Sequence, residues 1–222
     1  MSTSRDHILG ALRESLGRGP LDRETRAALD ARIETPVQHP RPAFADDLVT
    51  RFVTKLESRA GTVARVASAA AIPVAVEAFR AAQGLAPRAA VGAALRDLVW
   101  PADWSIHHGR ATIDDSLAVS PAFAAVAETG TLMLLAAPES PTTHNFVPDN
   151  QILILDQTRI VRHLEEAWAL LRQREQGMPR VVNLISGPSR TADIEQTIQL
   201  GAHGPRRLHV ILSGGSWLVA SG

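Results

Sequence analysis

The sequence predicts an α/β domain built on an open, largely parallel sheet and preceded by a helical extension. Three observations carry that prediction: helical periodicities in the first quarter, apolar runs of four to six residues in the remainder, and the interleaving of those runs with further helical segments. Residues 3–16 place Ile8, Leu9, Leu12 and Leu16 at helical spacing and stop at Gly17, Gly19 and Pro20. Residues 22–33 form a second helix, followed by a stretch punctuated by Pro36, Pro40 and Pro42 that reads as a linker. From Phe44 the pattern becomes that of a packed domain. Phe44, Leu48, Phe52 and Leu56 mark a helix, residues 62–66 a strand, 69–82 a helix and 88–92 a strand. Further strands are expected at 116–119, 132–136, 151–155, 181–186 and 207–212, with helices at 163–174 and 191–200. The expected organisation is an arm and linker over 1–43, a domain over 44–213 and a tail over 214–222.

Composition removes several kinds of chemistry. Lys+Arg of 23 balances Asp+Glu of 23, so no net field draws the chain to nucleic acid or anionic lipid. With no cysteine there is no disulfide, thiolate nucleophile, zinc ribbon or thiolate-ligated iron–sulfur cluster from these residues. Lys55 is the single lysine and tyrosine is absent, leaving His, Asp, Glu, Ser, Thr and Arg as the reactive vocabulary. The apolar stretch 118–137 contains Pro121, Glu128 and Gly130. A charge at mid-span costs roughly 2.5–3.5 kcal/mol on insertion scales, so membrane insertion is not expected. The N-terminus lacks a secretory pattern, and the expectation is a cytoplasmic protein. No dinucleotide-binding, phosphate-loop or serine-hydrolase motif occurs.

Four segments carry the available chemistry. In Val181–Glu195 an apolar strand runs into Ser186, Gly187, Pro188 and Ser189, and a helix is expected from Thr191. Free N–H groups at that helix start, the two serine hydroxyls, Thr191 and Arg190 would suit a carboxylate or phosphate. Asp193 and Glu195 in the same turn argue for ordinary capping instead. The second segment is Glu128-Thr129-Gly130-Thr131 at the mouth of an apolar strand, where glycine permits close backbone approach and the carboxylate could face a ligand. A plain turn with a solvated acid explains it as well. The third, residues 142–150, offers His144 and Asp149; the fourth, 201–205, offers His203 beside Gly204. Either histidine could serve as acid, base or ligand, yet no compact metal-ligand spacing is present. His107 and His108 are adjacent, so on a strand they point to opposite faces. Trp100 and Trp104 fit either an interface or a packed core.

Taken together, Ala-Glu-Thr-Gly-Thr-Leu-Met-Leu (127–134), Phe-Val-Pro-Asp-Asn-Gln-Ile (146–152), Ile-Ser-Gly-Pro-Ser-Arg-Thr-Ala-Asp-Ile-Glu (185–195) and Gly-Ala-His-Gly-Pro (201–205) resemble the LUD domain of the lactate utilization protein C family. The resemblance spans roughly residues 45–213, and the Ser-Gly-Pro-Ser-Arg-Thr block is its most specific part. It implies an open α/β sheet like that of the sugar-phosphate isomerase and CoA-transferase superfamily. It also implies a role in bacterial oxidation of L-lactate to pyruvate beside partner proteins that carry iron–sulfur clusters, with no cofactor held by this chain. A first expectation gathers the four segments into one pocket for a small carboxylate such as lactate, with Thr129, Gly130, Thr131, Ser186, Gly187, Ser189, Arg190, Thr191, Asp193 and Gly204 binding it and His203 or Glu128 handling the proton of its hydroxyl. A second expectation makes the chain a stand-alone enzyme on a phosphate or CoA ester with Glu128 as nucleophile, by fold-level analogy. A third makes it a non-catalytic scaffold or regulator of iron–sulfur partners. A homo-oligomer is compatible with all three.

Overall fold

The computed structural model describes residues 3–17, 19–35, 39–192 and 198–214. The chain forms two compact units, Met1–Pro42 and Ala43–Gly222. The first holds α1 (Ser4–Ser15) and α2 (Arg23–Glu34). Thr3 and Asp6 cap α1 reciprocally, and the Asp22 carboxylate accepts from the Thr25 N–H to start α2.

The second unit opens with α3 (Leu48–Glu57), whose Phe52 and Leu56 are fully buried one turn apart. Next come β1 (Thr62–Val66), a 3-10 turn, α4 (Ile72–Ala82), β2 (Arg88–Val91) and β3 (Ser105–His107). They are followed by β4 (Leu117–Pro121), β5 (Ala124–Val126), β6 (Thr131–Leu135), β7 (Asn150–Asp156), β8 (Ile160–Val161) and α5 (Leu164–Arg172). The chain continues through β9 (Val182–Ile185), β10 (Arg190–Ala192), β11 (Ile198–Leu200) and β12 (Arg207–Ser213).

The main sheet has six strands in the order β1-β12-β7-β4-β2-β3, and every pairing in it is parallel. Alternation along the strands separates its two faces. Leu117, Val119, Ile152, Ile154 and Ile211 turn to one side and pack with Ile72 and Val76 of α4 and with Leu95 and Trp104. Leu153, Leu155, Leu208, Val210 and Leu212 turn to the other side and meet Phe52 and Leu56 of α3. There they also meet Ala125, Leu132 and Leu134 of a second sheet, ordered β8-β5-β6-β9. The far face of that sheet packs on Ala167 and Leu171 of α5. Burial of both faces of the parallel sheet explains its near-continuous apolar strands.

Two expectations change. The strands at 132–136 and 181–186 belong to the second sheet, where β6 and β9 pair antiparallel, and not to the parallel one. The helix expected at 191–200 is replaced at both ends by strand: β10 and β11 pair antiparallel, Arg190 opposite Leu200 and Ala192 opposite Ile198. Residues 193–197, with Asp193 and Glu195, lie outside the described residues. The apolar spacing of four between positions 194 and 198 is common to the helical and strand periods, so it cannot separate them. Backbone bonds outside the segment decide the matter. The Ser189 N–H donates to Pro205 O (2.8 Å) and the Gly201 N–H to Ser189 O (3.0 Å), extending the hairpin at its base. The anion site built on a helix start at Thr191 therefore loses its free N–H groups.

Trp104 is buried in the core, its indole N–H donating to Glu77 Oε2 (2.9 Å) and its ring 5.8 Å from that of Trp100. Among the described residues no helix is long and apolar enough to cross a membrane.

Candidate functional site

The strand register brings two of the four segments into contact. In the pairing of β6 with β9, Leu132 stands opposite Ile185, so Thr131 and Ser186 meet one step further on. Their hydroxyl oxygens are 2.6 Å apart, and Thr131 is 2.7 Å from Thr129, which makes a continuous chain of hydroxyls from the 128–131 turn to the loop after β9. Gly130 sits at φ 66°, and a Cβ there would lie 2.7 Å from Leu56 N. Its freedom is spent on packing the turn against α3. Gly187, at φ 141°, gives the same close approach to Arg59 just past the end of that helix.

Glu128 is turned elsewhere. Its Oε2 lies 2.8 Å from Nδ1 of His163, the residue that begins α5, where an N–H on that nitrogen donates to the carboxylate. The Glu128 backbone N–H donates to Arg162 O, and the His163 ring stands edge-on to Phe44 at 5.7 Å. The Glu128 side chain keeps 25% of its exposure. His163 was not among the residues singled out from sequence, because nothing in a spacing of 35 positions links it to Glu128.

The fourth segment meets both the Ser-Gly-Pro-Ser turn and the third segment. The Ser189 hydroxyl accepts from the His203 N–H (3.3 Å), which ties the 201–205 loop to the Ser-Gly-Pro-Ser turn. Gly204 faces Ser189 and Asn145 at ordinary contact distance, and the His203 side chain is exposed. The N–H groups of Arg206 and Arg207 donate to Asp149 O, so the loop before β7 and the loop before β12 close on each other. His144 is fully buried, with Nδ1 2.9 Å from Ser120 Oγ and Nε2 2.8 Å from Gly109 O. With both nitrogens occupied by protein partners, its work is structural, and burial lowers its pKa. His107 and His108 do point to different partners, Asp115 Oδ1 and Val91 O. Burial would raise the Asp115 pKa, but hydrogen bonds from the Thr112 N–H, His107 and the Thr112 hydroxyl outweigh it and hold the carboxyl at about 2. Among the described residues no group of His, Asp and Glu is arranged to hold a metal ion.

Two cavities open where these loops converge. One, of about 310 Å³, is lined by Arg59, Ser186, Gly187, Pro188 and Arg190. The other, of about 250 Å³, is lined by Thr62, Phe79, Gln83, Arg190, Arg206 and Arg207 among others. Pro188 and Arg190 line both, and Glu128 lines neither. Thr62 and Arg207 are the first residues of β1 and β12, so the second cavity lies at the amino ends of the parallel strands. In open α/β sheets ligands commonly sit beyond the carboxyl ends of the strands, and this second cavity lies at the opposite edge. The Ser-Gly-Pro-Ser-Arg and His-Gly-Pro loops precede β12 and must deliver the chain to its starting edge, whereas the general rule concerns loops that leave the strands of the sheet.

Residues 111–213 match the LUD domain family. Over that stretch the chain is similar to the LUD domain. The match takes in β4 to β12 and with them every segment described above from Glu128 onward. Among curated proteins, the chain is 44% identical over 86 residues to an uncharacterized protein of Neisseria meningitidis serogroup B, an alignment covering 39% of this chain and 37% of that one. It is 33% identical over 126 residues to lactate utilization protein C of Geobacillus thermodenitrificans, covering 51% and 52% of the two chains. Against lactate utilization protein C of Geobacillus kaustophilus the identity is 33% over 135 residues, covering 55% and 56%. The chain thus spans about half the length, or less, of the curated relatives it matches. A crystal structure of a DUF162 family protein from Deinococcus radiodurans superposes with a TM-score of 0.52 at 22% identity, covering 78% of this chain and 100% of that one. That likeness extends the LUD domain comparison to the fold.

Proposed function

We propose that this chain is the cluster-free component of a bacterial lactate-utilization system and that it binds a small carboxylate, such as lactate, in the cavity of Arg59, Ser186, Gly187 and Arg190. The similarity to lactate utilization protein C supports the system. The observation that carries the carboxylate is the pairing of two guanidinium groups with a serine hydroxyl around one opening of about 310 Å³. A guanidinium offers two parallel N–H donors to a carboxylate, and a hydroxyl can serve the α-hydroxyl of the same substrate. Thr131 steadies that hydroxyl from below at 2.6 Å. Oxidation of lactate to pyruvate releases two electrons, and a sequence with no cysteine offers them no thiolate-held cluster. In this reading iron–sulfur partner proteins accept them, and the chain's own task is to bind and orient the substrate.

Isothermal titration of the full chain with L-lactate and with pyruvate tests the reading. Saturable binding is expected, weakened at least tenfold by Arg59→Ala and by Arg190→Ala. Absence of binding by the unsubstituted chain, both alone and together with its copurifying partners, overturns it.

A further inference from the structure

The adjoining cavity has a different character from the lactate cavity. Its volume is about 250 Å³, somewhat smaller than that of its neighbour. Three arginines, Arg190, Arg206 and Arg207, line it, and among the described residues no carboxylate does. Among the described residues none of the three forms an ion pair with an acidic side chain. Like charges gathered at one opening repel each other unless an anion sits among them, and arginine cannot shed its charge to relieve this.

The cationic arms are held by neutral groups. The Arg207 guanidinium donates to Asn150 Oδ1 (3.2 Å), and the backbone N–H groups of Arg206 and Arg207 share the Asp149 carbonyl. The Arg206 side chain lies across Gly201, which has φ 82°; a Cβ there would collide with it. Among the described residues the groups that meet Arg206 and Arg207, an amide, a carbonyl and a glycine, carry no charge to offset theirs. The remaining wall sets Phe79, Pro188 and Leu208 beside Thr62 and Gln83; the Phe79 ring stacks on His209 at 4.8 Å, and the His209 Nδ1 is 2.8 Å from the Thr62 hydroxyl.

We infer that this cavity binds a phosphate monoester, with Arg190, Arg206 and Arg207 around the phosphate and Phe79 against the carbon skeleton. A tetrahedral dianion accepts hydrogen bonds from three directions, whereas a planar carboxylate is served by one or two guanidinium groups. The inference stands independently of lactate binding, although the two cavities share Arg190.

Titration of the full chain with ribose 5-phosphate, inorganic phosphate, citrate and L-lactate tests it. Ribose 5-phosphate should bind saturably and more tightly than inorganic phosphate or citrate. Arg206→Ala should weaken it at least tenfold, and Arg206→Lys should recover part of the loss. Arg207→Ala should act in the same direction; because Arg207 also braces Asn150, the exposed Arg206 carries the decisive comparison. No saturable binding of either phosphate probe, binding unchanged in Arg206→Ala, or citrate bound as tightly as ribose 5-phosphate overturns the assignment. Lactate bound with no phosphate bound removes this inference alone, and phosphate bound with no lactate removes the lactate reading alone.

Discussion

Glu128 and His163 show how one contact changes the meaning of a residue. A carboxylate at the mouth of a strand reads as a group waiting for a ligand, yet here it faces the histidine that opens α5 at 2.8 Å. A hydrogen bond to a charged group is worth about 1.5–3 kcal/mol, less where it is partly exposed as here, and the turn holding Glu128 and the start of α5 are joined through it. Glu128→Ala and His163→Ala are each expected to lower unfolding stability by about 1–3 kcal/mol. The double variant should lose less than the sum of the two, by at least about 0.5 kcal/mol in urea denaturation. Simple additivity would show that the pair does no joint work.

At the level of elements, the hairpin of β10 and β11 is the piece on which the motif depends. It carries Arg190 to both cavities, and its base is closed by the Ser189 and Gly201 backbone bonds. Gly201 is needed twice, for its φ of 82° and for the space the Arg206 side chain occupies. Gly201→Ala should therefore loosen the base of the hairpin while sparing the main sheet. Hydrogen exchange at the Ser189 amide is expected to accelerate at least tenfold, with exchange in β7 unchanged. An unaltered Ser189 rate would mean the pairing does not depend on this turn. The same element explains the mistaken helix at 191–200: local spacing supports both structures, and bonds to Pro205 and Ser189 from outside the segment choose between them.

For the molecule as a whole, the buried histidines set the acid side of stability. Burial lowers His209 from its usual 6.5 to about 4, and burial lowers His144 as well. Both groups bind a proton less readily folded than unfolded, so their contribution is complete above pH 6.5 and is lost as pH falls. For His209 the loss develops between 6.5 and about 4 and is on the order of 3 kcal/mol. Asp115, held at about 2 against a usual 3.8, adds a further loss only below the histidine window. Urea unfolding should show lower stability at pH 4.5 than at pH 7, and His209→Gln should flatten the difference. Equal stability of the unsubstituted chain at the two values would contradict it.

What the amino-acid sequence determined alone is what depends on local pattern. Apolar alternation and helical spacing placed α3, α4, α5 and the strands β1, β2, β4, β7 and β12, because burial of one face leaves its period in the chain. The absence of cysteine excluded thiolate chemistry with no reference to any fold. The resemblance of the Ser-Gly-Pro-Ser-Arg block drew attention to Arg190, which does line both cavities. Tertiary structure alone decided which of these groups share a space. Arg59, Arg206 and Arg207 were passed over in the sequence since a single arginine carries no spacing signal, and His163 meets Glu128 only because β5 pairs with β8 ahead of α5. Such meetings are fixed by strand order and register, which act between residues far apart in the chain and leave no periodic trace along it.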